Sequence, residues 1–362
     1  MTDFMTKNKE KLEQFAAMSQ AAGSRSDYVQ GGGGNTSVKL ADGLMAIKAS
    51  GYCLSDIRPN KAYAVLDYEA LRRFYYDNEP AQLADVEKLG SACAKENTKL
   101  IEGMDALRPS VEAGFHSILK TFVCHTHSVY ANLAACSTAC CEIAEKAFNG
   151  ADYTWGWVPY TDPGANLTFA IRDELRRVGE KTGKVPSVIL MQNHGIIVHD
   201  DDAERCLAIH ADANERLAQQ FGIHGDSFPA ISVRQTGEEL YEADTPYLRE
   251  ALKNCRYDYK TFIETPLYPD QMVFLIGTFF MDKEGTPAEG ECYADTKTGA
   301  LVLHMGEKKA KTITETLTAV IFIMDTITKM GYTVSTMGEA AKSFIANWES
   351  EKYRKSLAGK KG

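Results

Sequence analysis

Thr121-Phe122-Val123-Cys124-His125-Thr126-His127 is β-branched and aromatic up to its first histidine, so it reads as a short strand. Residues i and i+2 of a strand point to one face, which aims both imidazoles at one point. Two of the chain's eight histidines converging there mark a candidate metal site, because zinc and its first-row neighbours take imidazole nitrogen readily. By itself an H-x-H pair equally fits two satisfied polar residues on a half-buried strand.

Two other segments bear on the choice. Upstream, Arg108-Pro109-Ser110-Val111-Glu112-Ala113-Gly114-Phe115-His116 reads as a helix entrance, with Ser110 as N-cap, a helix over Val111–Leu119 and Glu112 in its first turn. Downstream, Val188 to His199 reads as a strand, a break at Asn193-His194-Gly195 and a second strand. Taken alone, Glu112 is also what a helix dipole favours, and His194 is an ordinary turn residue.

RPSVEAGFH, VCHTHS and LMQNHG, in that order, resemble the class II aldolase/adducin family of sugar-phosphate lyases. The resemblance implies that Glu112, His125, His127 and His194 hold a catalytic Zn2+, or another divalent ion such as Co2+, Mn2+ or Fe2+. It further implies that Glu112 can leave the ion and serve as a base. Three imidazoles, one carboxylate and no thiolate fit a working Lewis acid better than a structural zinc. His116, four residues after Glu112, suits a supporting role behind the ligands, while His199, His210, His224 and His304 read as structural or surface residues.

Gly31 to Gly34, running into Asn35-Thr36-Ser37, reads as a binding loop whose backbone N–H groups can approach an anion. The resemblance places Gly34, Asn35, Ser50, Gly51 and Ser110 around the substrate phosphate. Fuculose-phosphate-type relatives have a second serine where this chain has Val111, so Lys39 or Lys48 is a candidate to compensate; each also fits ordinary solvated charge. Trp155-Gly156-Trp157-Val158-Pro159-Tyr160-Thr161-Asp162-Pro163-Gly164 reads as an aromatic-rich loop. Its likeness to the family's aromatic-Tyr-x-x-x-Gly loop implies that Tyr160 is a proton donor reaching a neighbouring subunit's active site, with a homotetramer as the expected assembly. The implied reaction is reversible retro-aldol cleavage of a ketose 1-phosphate, of rhamnulose or fuculose type, to dihydroxyacetone phosphate and a short aldehyde. The same scaffold serves pentulose-5-phosphate 4-epimerases, dehydratases, decarboxylases and non-enzymatic adducin-like modules.

At 362 residues and 44% hydrophobic content the chain supports a large core. A net charge of −9 argues against nucleic acid or an anionic membrane as partner; the small phosphorylated sugar that the resemblance implies as partner needs local positive charge instead. The charged, amphipathic N-terminus reads as neither signal peptide nor anchor, LTAVIFIM is too short to span a bilayer, and nine cysteines without a CxxC pair read as reduced thiols; the expected location is the cytoplasm. No G-x-G-x-x-G follows a strand, so no nicotinamide cofactor is expected.

Strands are expected at Thr36–Leu40, Leu44–Ala49, Ala62–Asp67, Thr121–His125, Ser187–Gln192 and Ile196–His199. Helices are expected at about 4–22 and at Tyr68–Tyr76, Val86–Ile101, Val129–Phe148, Ala165–Thr182 and Asp202–Phe221. The expected fold is α/β, with class II aldolase-like α/β/α layers around a mixed, largely antiparallel sheet. That domain is placed at 1–228. A C-terminal α+β extension over 229–362 follows, with strand-like segments at Met272–Phe280 and Ala300–His304, a helix at Lys309–Met330 and a charged helical tail. Pro266 to Phe274 looks similar to the aldolase portion of longer relatives that also carry a dehydrogenase half.

Overall fold

Burial of both faces of the central β-branched runs decides the architecture. The computed structural model describes residues 3–347. Its first part contains α1 (Asp3–Lys7), α2 (Lys9–Gly23), β1 (Asn35–Lys39), β2 (Leu44–Lys48), β3 (Tyr63–Asp67), α3 (Tyr68–Asp77), α4 (Val86–Glu96) and β4 (Thr98–Lys99). Then come α5 (Ala113–Ile118), β5 (Phe122–Thr126), α6 (Val129–Ala135), α7 (Cys140–Ala147), β6 (Trp155–Val158), α8 (Ala165–Thr182), β7 (Val188–Met191), β8 (Gly195–Asp200) and α9 (Ala203–Gln220). The extension contains β9 (Val233–Gly237), β10 (Leu240–Ala243), α10 (Pro246–Lys253), α11 (Tyr259–Glu264), α12 (Pro269–Leu275), β11 (Phe279–Met281), β12 (Cys292–Asp295), β13 (Ala300–His304), α13 (Glu307–Lys329) and α14 (Glu339–Asn347).

The first part forms one eight-stranded sheet, β4-β3-β2-β1-β5-β8-β7-β6, antiparallel except where β6 runs parallel to β7. On β5 and β8, Phe122, Cys124, Ile196 and Val198 enter one core, while Val123 and Ile197 enter another. Strands apolar on both faces must be covered on both, giving the expected mixed sheet between helical layers. The extension adds a second sheet, β11-β12-β13-β10-β9. Helix α13 packs on α6 and α12, and its Ile313, Leu317 and Val320 lie in the same core cluster as Leu12 and Leu133. Among the described residues no helix is long and apolar enough to cross a membrane.

Several local expectations are corrected. The expected helix over 129–148 is two, because the linking segment pairs elsewhere: Thr138 N–H donates to the Thr333 carbonyl (3.0 Å), Ser335 N–H to that of Cys136 (2.7 Å), and the Ser137 hydroxyl accepts from Ala139 N–H. Trp155–Val158 is an edge strand rather than loop, with the turn beginning at Pro159. Met272 to Leu275 is helical, in a helix opened by Pro269 at its first position, and the strand begins only at Phe279. Helix α4 ends at Glu96, where the Asn97 side chain donates back to the Cys93 carbonyl. Helix α5 begins at Ala113, so the cap position falls to Glu112 and not Ser110. The charged tail beyond 347 lies outside the described residues.

Candidate metal centre

Register builds the centre. His125, on the central strand β5, pairs with Asn35 of β1 on one side and with Ile197 of β8 on the other. His127 follows just past the strand end. The β7–β8 turn brings His194 to the same end of the sheet, with Asn193 in the left-handed region and held by its side-chain amide to the Leu267 and Ser335 carbonyls (both 2.8 Å). Gly195 is required there, because a Cβ would strike the Thr126 carbonyl oxygen. Glu112 enters from the start of α5.

All four side chains are buried. His125 Nε2 lies 3.2 Å from His127 Nε2 and 3.6 Å from Glu112 Oε2, and His194 Nε2 lies 3.3 Å from Glu112 Oε1. The imidazole pairs have centroids 5.0–5.1 Å apart. A tetrahedral ion with bonds of about 2.05 Å sets its ligand atoms about 3.3 Å apart, close to these separations. His125 Nδ1 donates to the Ile196 carbonyl (3.0 Å), and His127 Nδ1 donates to the Asp270 carboxylate. With each Nδ1 so engaged, the two Nε2 lone pairs face each other, an arrangement that a cation between them stabilises. Glu112 Oε1 has no hydrogen-bond partner among the described residues, nor does His194 Nδ1. The donor set thus fits a divalent ion held by Glu112, His125, His127 and His194.

Electrostatics agree. Burial pulls His125 down to about 4 and His194 down to about 3, against the raising effect of Glu112 in both cases. Burial pushes the Glu112 carboxyl up, but His125, His194, His127 and the Asn35 amide together bring it down to about 2. At neutral pH His125 and His194 are unprotonated and Glu112 is ionised, the forms that bind metal.

Asn35 Nδ2 donates to Glu112 Oε2 (2.5 Å) and lies 3.2 Å from Ser110 Oγ, while its carbonyl meets His116 Nε2; His116 Nδ1 in turn meets Ser37 Oγ at 2.7 Å. His116 therefore stands behind Glu112 through Asn35. Ser110 also accepts from Glu112 N–H at 3.3 Å. Ser50 N–H donates to the Arg108 carbonyl (2.9 Å), which draws Ser50 and Gly51 toward Ser110. Gly34 lies against the His125 carbonyl, so Gly34, Asn35 and Ser110 border the centre, and Ser50 is joined to this edge only through the Arg108 carbonyl. A cavity of about 1330 Å³ borders that edge through Ser110 and Val111.

Neither lysine is solvated. Lys48 ties the glycine run to the following turn, donating to the carbonyls of Gly32 (3.2 Å) and Tyr52 (2.8 Å). Lys39 lies at the far end of β1, donating to the carbonyls of His116, Leu119 and Lys120, so it does not compensate for Val111. Tyr160 is not drawn to the four ligands within one chain: its hydroxyl donates to Asp162 (3.2 Å) and its ring packs with Met272 and Met337. Two carboxylates from the extension also reach this region. Asp270 meets His127, and Glu315 of α13 accepts from Gly31 N–H at 3.0 Å. Asp270 had only a faint local signal, an acid directly after a proline that opens a helix.

The sequence family described as "Class II Aldolase and Adducin N-terminal domain" matches residues 13–221. Among solved structures, the N-terminal class II aldolase domain of a conserved protein from Thermoplasma acidophilum is 20% identical, with TM-score 0.47, covering 57% of this chain and 92% of that one. An L-fuculose-1-phosphate aldolase from Thermus thermophilus is 15% identical, with TM-score 0.33, covering 58% of this chain and 93% of that one. L-fuculose 1-phosphate aldolase from Glaciozyma antarctica is 12% identical, with TM-score 0.39, covering 61% and 75% respectively. No curated protein matches.

Proposed function

Because this chain belongs to the class II aldolase and adducin family, we propose that it is a divalent-metal-dependent aldehyde-lyase acting on a ketose 1-phosphate of rhamnulose or fuculose type. The observation that carries the reading is the buried cluster of His125, His127 and His194, with the Glu112 carboxylate 3.6 Å from His125 Nε2 and 3.3 Å from His194 Nε2. An adducin-like binding module has no use for such a donor set.

A bound divalent ion would supply Lewis-acid polarisation of the substrate carbonyl, a contribution of several kcal/mol. The chain's own residues do the rest. Gly34, Asn35, Ser50, Gly51 and Ser110 orient the phosphate. In the direction of bond formation, Glu112 removes a proton from the hydroxymethyl carbon of dihydroxyacetone phosphate, with Asn35 holding the carboxylate in place. The new C–C bond forms to the aldehyde carbon, and Tyr160 of a neighbouring subunit gives its proton to the aldehyde oxygen. Cleavage runs the same transfers in reverse. Tyr160 must leave Asp162 to do this, which is consistent with a loop that adjusts on assembly into a tetramer.

The test is proton exchange. Zinc-loaded protein is incubated with dihydroxyacetone phosphate in heavy water, and the hydroxymethyl protons are followed by NMR beside a chelated control. Metal-dependent, stereospecific exchange supports the aldolase reading. No exchange, with metal bound, rejects dihydroxyacetone phosphate as donor and transfers the case to the epimerase, dehydratase or decarboxylase branch.

A further inference from the structure

Asp270 lies in the extension, beyond the residues that the family matches, yet it reaches the centre. It is 1% exposed, and its carboxylate meets His127 Nδ1. The segment bearing it is pinned independently. Gln271 Oε1 accepts from Leu267 N–H (2.8 Å), Gln271 Nε2 donates to the Phe262 carbonyl (2.8 Å), and the Leu267 carbonyl accepts from Asn193 beside His194. Gly33 closes the other side: a Cβ there would come within 2.9 Å of His127 Nδ1.

We propose that Asp270 is a positioning residue for the metal centre, so that the C-terminal extension supplies the outer support of one ligand. The inference rests on the metal-centre reading above. A carboxylate only accepts, so the proton of His127 sits on Nδ1 and its Nε2 faces the ion. The three imidazoles are supported unequally: His127 by a carboxylate, His125 by the Ile196 carbonyl, and His194 with no Nδ1 partner among the described residues. His127 thereby has the strongest outer support of the three. Charge points the same way, because Glu112 and Asp270 together balance a divalent cation in a buried site.

The test is affinity for zinc, by competition with a chromophoric chelator, on the full chain. Asp270→Asn keeps the shape and removes the charge, and is expected to bind about 10- to 100-fold more weakly, with Asp270→Glu recovering part of the loss. The visible spectrum of the cobalt form should change in Asp270→Asn, because the donor strength of His127 changes. Leu252→Ala, which loosens the extension's core on α10 against β12, β13 and α13, controls for a merely structural role and should bind zinc like the wild type. Wild-type affinity in Asp270→Asn, or an equal loss in Leu252→Ala, overturns the proposal while leaving the metal centre intact. A wild-type chain that binds no divalent ion overturns the metal-centre reading, and this inference with it.

Discussion

Gly34→Ala tests whether the glycine run is a phosphate loop. Gly34 sits at φ +65°, and a Cβ there would lie 2.5 Å from the His125 carbonyl oxygen and 3.2 Å from Thr126 Cα. The first distance is about 0.9 Å inside ordinary van der Waals contact. Strand β5 is paired on both sides, by β1 and β8, so the loop yields rather than the strand. The left-handed conformation costs alanine about 1–2 kcal/mol, and relieving the overlap adds about 1–3 kcal/mol. The loop can move only by stretching the contacts of Gly31 with Glu315 and of Gly32 with Lys48. Urea unfolding should therefore show a loss of about 2–5 kcal/mol. Zinc affinity should stay within about tenfold, because His125 and His127 ride on the strand that holds still, while KM for the ketose phosphate rises by more than about tenfold. A normal KM in the destabilised variant would refute the loop assignment. Lost zinc would refute the claim that the strand holds.

His194→Ala should abolish tight zinc binding and turnover while far-ultraviolet circular dichroism stays native; full activity without metal would sink the mechanism. Tyr160→Phe should slow C–C cleavage by about 10²- to 10⁴-fold, the usual worth of a positioned proton donor, with zinc content unchanged, and an unaltered rate removes Tyr160 from the site. Acid should destabilise the metal-free protein through His199 and His210, which burial holds down to about 3, with nearby cations (Lys120 and Lys39 for His199, Arg25 for His210) adding to the effect. Both are neutral in the fold and protonate in the unfolded chain below about 6.5. Their contribution is therefore complete above that pH and is lost as pH falls toward 3, about 2 kcal/mol each at pH 5. His210→Gln should shrink the difference in urea stability between pH 7.5 and pH 5 by about that amount, and an unchanged difference would count against the buried neutral form.

The sequence by itself determined which residues could form the centre. Strand periodicity put His125 and His127 on one face and the Asn-His-Gly break marked a turn between two strands, while only the resemblance to the class II aldolase/adducin family tied Glu112 and His194 to them. These signals are local, since spacing along a strand or at a helix start fixes direction whatever packs on top. Tertiary structure decided what stands behind those residues. Asn35 joins His116 to Glu112 through a β1–β5 register that no short window contains. Asp270 and Glu315 reach the centre and the glycine run from 143 and 284 residues away along the chain. The same cause split the expected helix at Cys136, whose carbonyl takes its hydrogen bond from Ser335. A residue's own propensity says little about a partner so remote in sequence. Only the packing of the extension against α6 and the β7–β8 turn brings those groups within hydrogen-bonding reach.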